Sequence, residues 1–107
     1  MEPVLNSTSI AYEASRVVKP KPGVLYGLTG YNAKVSTQFI QIHDAPGVPV
    51  EGAVPVAIIS AAASSPFSID WGAGGRQFKY GIVVVNSSTG PTKTIGSADI
   101  WVDAQYR

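Results

Sequence analysis

A two-residue hydrophobic alternation, cut into short runs by Gly, Pro and Ser, recurs along this chain and limits its fold more than any other feature. Successive strand side chains point to opposite faces, so each run reads as a partly buried β-strand. Ile10, Tyr12, Ala14 and Val18 fall on one face, with Glu13 and Ser15 on the other. Lys19-Pro20-Lys21-Pro22-Gly23 is a rigid polar break. Val24, Tyr26 and Leu28 then alternate with Leu25, Gly27 and Thr29 as far as Gly30. Val35 to His43 reads as a third strand whose apolar face changes at Phe39-Ile40, as at a bulge or under cover on both sides.

Ala45 to Pro55 carries three prolines and two glycines and reads as loop or edge. Val54, Val56 and Ile58 form the next strand. Ile59 to Ala63 has helical propensity, but Ser64-Ser65-Pro66 ends it within about a turn. Phe67, Ile69 and Trp71 alternate with Ser68 and Asp70 before the turn Gly72-Ala73-Gly74-Gly75. Phe78, Tyr80, Ile82 and Val84 oppose Lys79, Gly81, Val83 and Val85, the mark of a central strand covered on both sides. After a loop from Asn86 to Gly96 the alternation is cleanest: Ala98, Ile100, Val102, Ala104 and Tyr106 inward, Asp99, Trp101, Asp103, Gln105 and Arg107 outward. No stretch holds a helical period. The pattern predicts an all-β chain: a single antiparallel β-sandwich, jelly-roll-like, over residues 23–107, preceded by an extended N-terminal arm over residues 1–22.

Composition narrows what such a sandwich can do. The 107 residues suffice for one core, and 45% are hydrophobic against 14% charged. Soluble domains average about 25% charged residues, so this surface is poor in charge. The formal net charge is +1, and the nearest thing to a basic cluster is Arg16, Lys19 and Lys21. Nucleic-acid binding rests on clustered basic side chains, so no nucleic-acid partner is expected. Cysteine is absent, which removes disulfides, thiolate metal sites and thiol nucleophiles. The N-terminus lacks a basic region followed by an apolar run, and the longest apolar stretch, Ile82 to Val85, is too short to span a membrane. Synthesis in a cytoplasm and no membrane partner are the expectation.

The residues that could carry chemistry do not assemble into a site on the page of the sequence. His43 is the single histidine, and Asp44 beside it on a strand points to the opposite face, badly placed to orient it. Asp99 and Asp103 lie on one strand face roughly 13 Å apart, too far to share a proton or an ion. Asp70 could join one of them only through the fold. Gly72-Ala73-Gly74-Gly75 lacks the Lys-Ser/Thr of a phosphate loop and is a turn. Asn6-Ser7-Thr8 and Asn86-Ser87-Ser88 match the glycosylation pattern without a secretory signal. No catalytic residue, metal site or cofactor is assigned. Trp101, large and apolar among polar outward neighbours, reads as an interface anchor. In the arm, Ile10, Tyr12 and Val18 read as residues that pair with another chain by strand addition, because the Pro pair favours extended backbone.

Several segments also resemble small structural proteins of tailed bacteriophages. They are Val24-Leu25-Tyr26-Gly27-Leu28-Thr29-Gly30-Tyr31-Asn32, Gln38-Phe39-Ile40-Gln41-Ile42-His43-Asp44, Phe67-Ser68-Ile69-Asp70-Trp71-Gly72, and above all the run from Gly81 to Arg107. The resemblance spans roughly residues 24–107 and carries no catalytic motif; residues 1–22 lie outside it. It implies a non-enzymatic virion protein, foremost a capsid cement or decoration protein. The implied partners are a major capsid protein or other virion proteins, with further copies of the chain as a trimer or dimer, and the implied location is the virion. A tail, neck or fibre-associated structural protein is the nearest alternative. A carbohydrate-binding module using Trp71, Trp101, Tyr31 or Tyr80 as stacking platforms is another.

Overall fold

The computed structural model describes residues 3–107, and the alternating runs become nine β-strands in two antiparallel sheets. They are β1 Leu5–Thr8, β2 Ser15–Lys19, β3 Gly23–Asn32, β4 Gln38–Asp44, β5 Ala57–Ala61, β6 Ser65–Asp70, β7 Arg76–Phe78, β8 Ile82–Ser87 and β9 Ile100–Tyr106. Sheet A has the order β1-β9-β3-β6, with the short β7 also on β3; sheet B has the order β2-β8-β4-β5.

That order has a simple origin. Leaving β7 aside, the first half of the chain runs antiparallel to the second as one long ribbon: β1 with β9, β2 with β8, β3 with β6, β4 with β5. Rolling the ribbon up joins β3 to β9 and β4 to β8. This is the jelly roll, a two-sheet solution for antiparallel chains. The fold expected from the alternation is therefore the one adopted.

Between the sheets the core is solid hydrocarbon. Leu25, Leu28, Ile40, Ile42, Ile82, Val84, Ile100, Val102 and Ala104 are fully buried or nearly so, with Phe67 and Phe78 among them. Gly30 faces inward where β3, β9 and the Phe67 ring converge, and a Cβ there would collide with that ring and with the Trp101 carbonyl. Two polar side chains close the open flanks. Arg16 on β2 donates across to Ser7 Oγ and the Thr8 carbonyl on β1. Asn32 on β3 donates to the carbonyls of Ala61 and Ala62 at the end of β5.

Several details differ from the sequence expectation. Leu25 and Leu28 are both inward because β3 shifts register between Leu25 and Gly27, a bulge that strict alternation hides. The strand expected from Val35 starts only at Gln38, as β4, and Val35 stands in the preceding loop at 89% exposure. Ile59 to Ala61 continues a strand, because Ala57, Ile59 and Ala61 pack inward and tertiary burial outweighs local propensity. Phe78 and Ile82 belong to different sheets. The chain crosses between them at Lys79–Gly81, whose three backbone N–H groups point at the Asp44 carboxylate, leaving Tyr80 exposed.

The N-terminal arm differs most. Its two strands pair within the chain, β1 as an edge of sheet A and β2 as an edge of sheet B. The physical reason lies in the polar residues between them. Ser9 exchanges bonds with Val102 through its N–H and hydroxyl, and Glu13 pairs with Ile100 in both directions. Glu13 also accepts from Ser9 Oγ and from Arg16 at 2.8 Å. The segment is stitched down before the Pro pair, which serves as the crossing from sheet B to sheet A. Met1 and Glu2 lie outside the described residues.

Candidate protein–protein interface

The outer face of sheet A is a grid fixed by the strand registers. Asn6, Gln105, Gly27 and Asp70 form one row; Thr8, Asp103, Thr29 and Ser68 the next; Trp101, Tyr31 and Pro66 the last. Two rows are polar and one is aromatic. In β9 the burial alternates as the sequence predicts, with Ile100, Val102 and Ala104 buried and Trp101 half-buried on the outside. Tyr31 lies opposite Trp101 and is 37% exposed.

The crossover from Ser9 to Glu13 runs past this aromatic row. Its ends are tied to Val102 and Ile100, the two neighbours of Trp101 in the strand. Ile10 at its tip is 100% exposed and Tyr12 is 52% exposed. Two of the four expected interface residues, Ile10 and Tyr12, thus sit on the crossover whose ends are tied on either side of a third, Trp101, at one corner of sheet A. Val18 does not join them. A bulge between Val17 and Lys19 turns it into the core, where it is 6% exposed, so it is a packing residue of this chain.

A second apolar surface, which sequence reasoning passed over, lies on the outside of sheet B. Here Val83, Val85, Gln41 and His43 are buried although they face away from the main core. Two loops, residues 45–56 and 88–95, lie over one another and are joined by backbone bonds between Lys93 and both Gly52 and Ala53. Lys93 Nζ stands 2.5 Å from Glu51 Oε1. Gln41 holds the second loop from below, donating to the carbonyls of Thr89, Gly90 and Thr92. Its amide nitrogen being spent there, its oxygen accepts from His43 Nε2 at 3.0 Å. On top, Val50 and Val54 are 79% and 74% exposed. The signal was present in the sequence as valines between prolines, but strand periodicity gave them no face.

His43, Asp44 and Glu51 make local contacts within the fold. Desolvation, then the nearby Lys93 ammonium, holds His43 below its ordinary pKa. Desolvation raises Asp44, but the three N–H groups of the crossing and Arg76 outweigh it and leave the carboxyl below its usual range. Glu51 is lowered by the Lys93 hydrogen bond and by the Ile95 N–H. Asp70 accepts from the Gly72 N–H, Asp103 from Thr8 and Gln105, and Asp99 from Ser97. No group of three or more His, Cys, Asp or Glu with metal-ligand placement occurs among the described residues. No helix is long and apolar enough to cross a membrane among them.

Of the aromatic platforms considered for a glycan, Trp101 and Tyr31 stand side by side on sheet A and the other two lie apart from them. Trp71 packs against the core, and Tyr80 sits in the crossing between sheets. An open groove of about 380 Å³ lies over Gly27, between Tyr26, Thr29, Asp70 and Gln105, and Tyr26 is its one aromatic wall.

No protein-family model and no curated protein matches the chain. Among solved structures, the coat protein of Tobacco streak virus is similar, with a TM-score of 0.44, 14% identity, and coverage of 94% of this chain and 83% of that chain. At that overlap the likeness is one of general outline and fixes neither function nor partner.

Proposed function

We propose that this chain is a non-enzymatic structural protein of a viral particle, foremost a capsid cement or decoration protein of the tailed-phage kind that its wording resembles. The observation that carries the reading is where the hydrophobic residues stand. Among the described residues the jelly-roll interior is filled by side chains, while a fully exposed Ile10 and the exposed Val35, Val50 and Val54 lie outside. Exposed apolar residues gathered into patches mark surfaces that other proteins cover. The jelly roll recurs in viral capsid domains, and also in lectins and cupins, so the strand order is compatible with the reading without deciding it.

The corner built from Ile10, Tyr12, Trp101 and Tyr31 is the proposed contact with the shell or another virion protein. Its aromatic row with polar rows beside it has the anatomy of an interface core and rim. Counting copies of the chain in purified particles tests the assignment. A cement protein is present in hundreds of copies, and a tail or neck protein in a few to about a dozen. Absence from particles overturns the virion reading altogether, and retention on a glycan array would favour the carbohydrate-binding alternative.

A further inference from the structure

A β-sheet edge presents unpaired N–H and C=O groups, and proteins guard such edges with charge, proline, bulges or brevity. Three of the four edges here are guarded. Strand β1 is only four residues long, and its Thr8 carbonyl is taken by Arg16. Strand β2 carries Arg16 and Lys19 and is bulged. Strand β6 has Pro66 in its span and ends on Asp70.

Strand β5, Ala57-Ile58-Ile59-Ser60-Ala61, carries no charge, no proline and no bulge. It pairs with β4 on one side and, among the described residues, with no strand on the other. No charged residue occurs anywhere from Gly52 to Ile69. Ser60 is exposed, Ile58 is 45% exposed, and Val56 just before the strand is 39% exposed. Asn32 occupies the Ala61 carbonyl, so the open stretch runs from Ala57 to Ser60.

We infer that β5 is the docking edge for a second copy of this chain, added antiparallel as β5 against β5 about a two-fold axis. The two four-stranded B sheets then become one sheet of eight strands. Charge selects this occupant. In a two-fold pairing each residue meets the same segment of its partner, so a charged edge faces its own charge, whereas an uncharged one meets no repulsion. The β2 edge, with Arg16 and Lys19, would set cation against cation. The inference deepens the assembly reading by naming one of its contacts.

The test uses the whole chain. Sedimentation over a concentration series should show a monomer–dimer equilibrium. Ser60→Lys, which supplies the missing guard, should raise the dissociation constant about tenfold or more. Val17→Lys on the guarded β2 edge should leave it unchanged. In parallel, hydrogen exchange of the wild-type chain should show β5 amides gaining protection as concentration rises while β2 amides do not, a readout that survives if Ser60→Lys fails to fold. A wild-type chain monomeric throughout, a dimer indifferent to Ser60→Lys, one weakened equally by Val17→Lys, or unchanged β5 protection each overturns the pairing. Copy number in particles is independent of all four, so failure here is distinguishable from failure of the virion reading.

Discussion

Ile82 and His43 show how differently two buried residues can work in this molecule. Ile82 has no exposed surface and packs with Val84, Ile42 and Phe78 in the hydrocarbon between the sheets. Ile82→Ala removes three carbons and leaves a hole that the paired strands on either side of β8 cannot close. It should cost about 2–5 kcal/mol in a denaturant titration, and a loss under about 1 kcal/mol would place β8 at the periphery. His43 is 2% exposed under the Lys93 loop, where its proton is disfavoured by burial and by that ammonium. Its folded pKa lies below the ordinary value of 6.5, so as pH falls through 6.5 the unfolded chain takes up a proton first. Stability is full above that pH, declines below it, and stops declining on this account once the folded pKa is passed. Asp44 and Glu51, themselves lowered from 3.8 and 4.5, withdraw their support only in a more acid range. The urea midpoint should therefore fall between about pH 7 and pH 5, and His43→Gln should flatten that part of the profile.

Among the elements, the N-terminal strands decide whether the chain is one unit or an arm on a body. Because β1 covers the edge of β9 and β2 the edge of β8, deleting residues 1–18 strips both sheets on the same flank and removes Val18 from the core. The truncated chain should lose its cooperative thermal transition; a truncated chain melting as sharply as the full one would restore the detached-arm picture. The sequence was legible wherever one face of a strand meets hydrocarbon and the other meets water, as in β9, where every inward and outward position from Ile100 to Ala104 was readable in advance. It was legible too for β8, whose unbroken apolar run matches a strand covered on both faces. It failed where a bulge reverses the count, at Tyr26 and again at Val18, since one extra residue moves everything after it to the other face. It failed also at Lys79–Gly81, where the apolar period runs straight through a change of sheet that is set by Asp44 from thirty-five positions away. Of the candidate contact, what brings the crossover alongside β9 is the pair of Ser9 and Glu13 tethers, which no local pattern contains.

For the molecule as a whole, the question is which surface is left for others once the fold has satisfied itself. Trp101 gives the sharpest answer. Its side chain lies outside sheet A beside Tyr31, next to the crossover that holds up Ile10 and Tyr12, and the core is complete without it. Trp101→Ala should therefore shift the unfolding free energy of the isolated chain by no more than about 1 kcal/mol, as at surface sites. If the corner is the contact with the shell, the indole is its natural anchor, with Asp103 and Gln105 on the rim. The same substitution should then weaken attachment by about 2 kcal/mol or more. Ile10→Asp extends the argument, because a fully exposed side chain contributes nothing to folding that its loss could remove, yet a carboxylate there would be buried at the contact without a partner. Both variants should melt like the wild-type chain and both should be depleted from purified particles in competition with it. A Trp101→Ala chain that unfolds readily yet fills particles to full occupancy would make the indole a core residue. Normal melting with normal occupancy for both variants would move the contact to another face, the valines above sheet B being the next to probe.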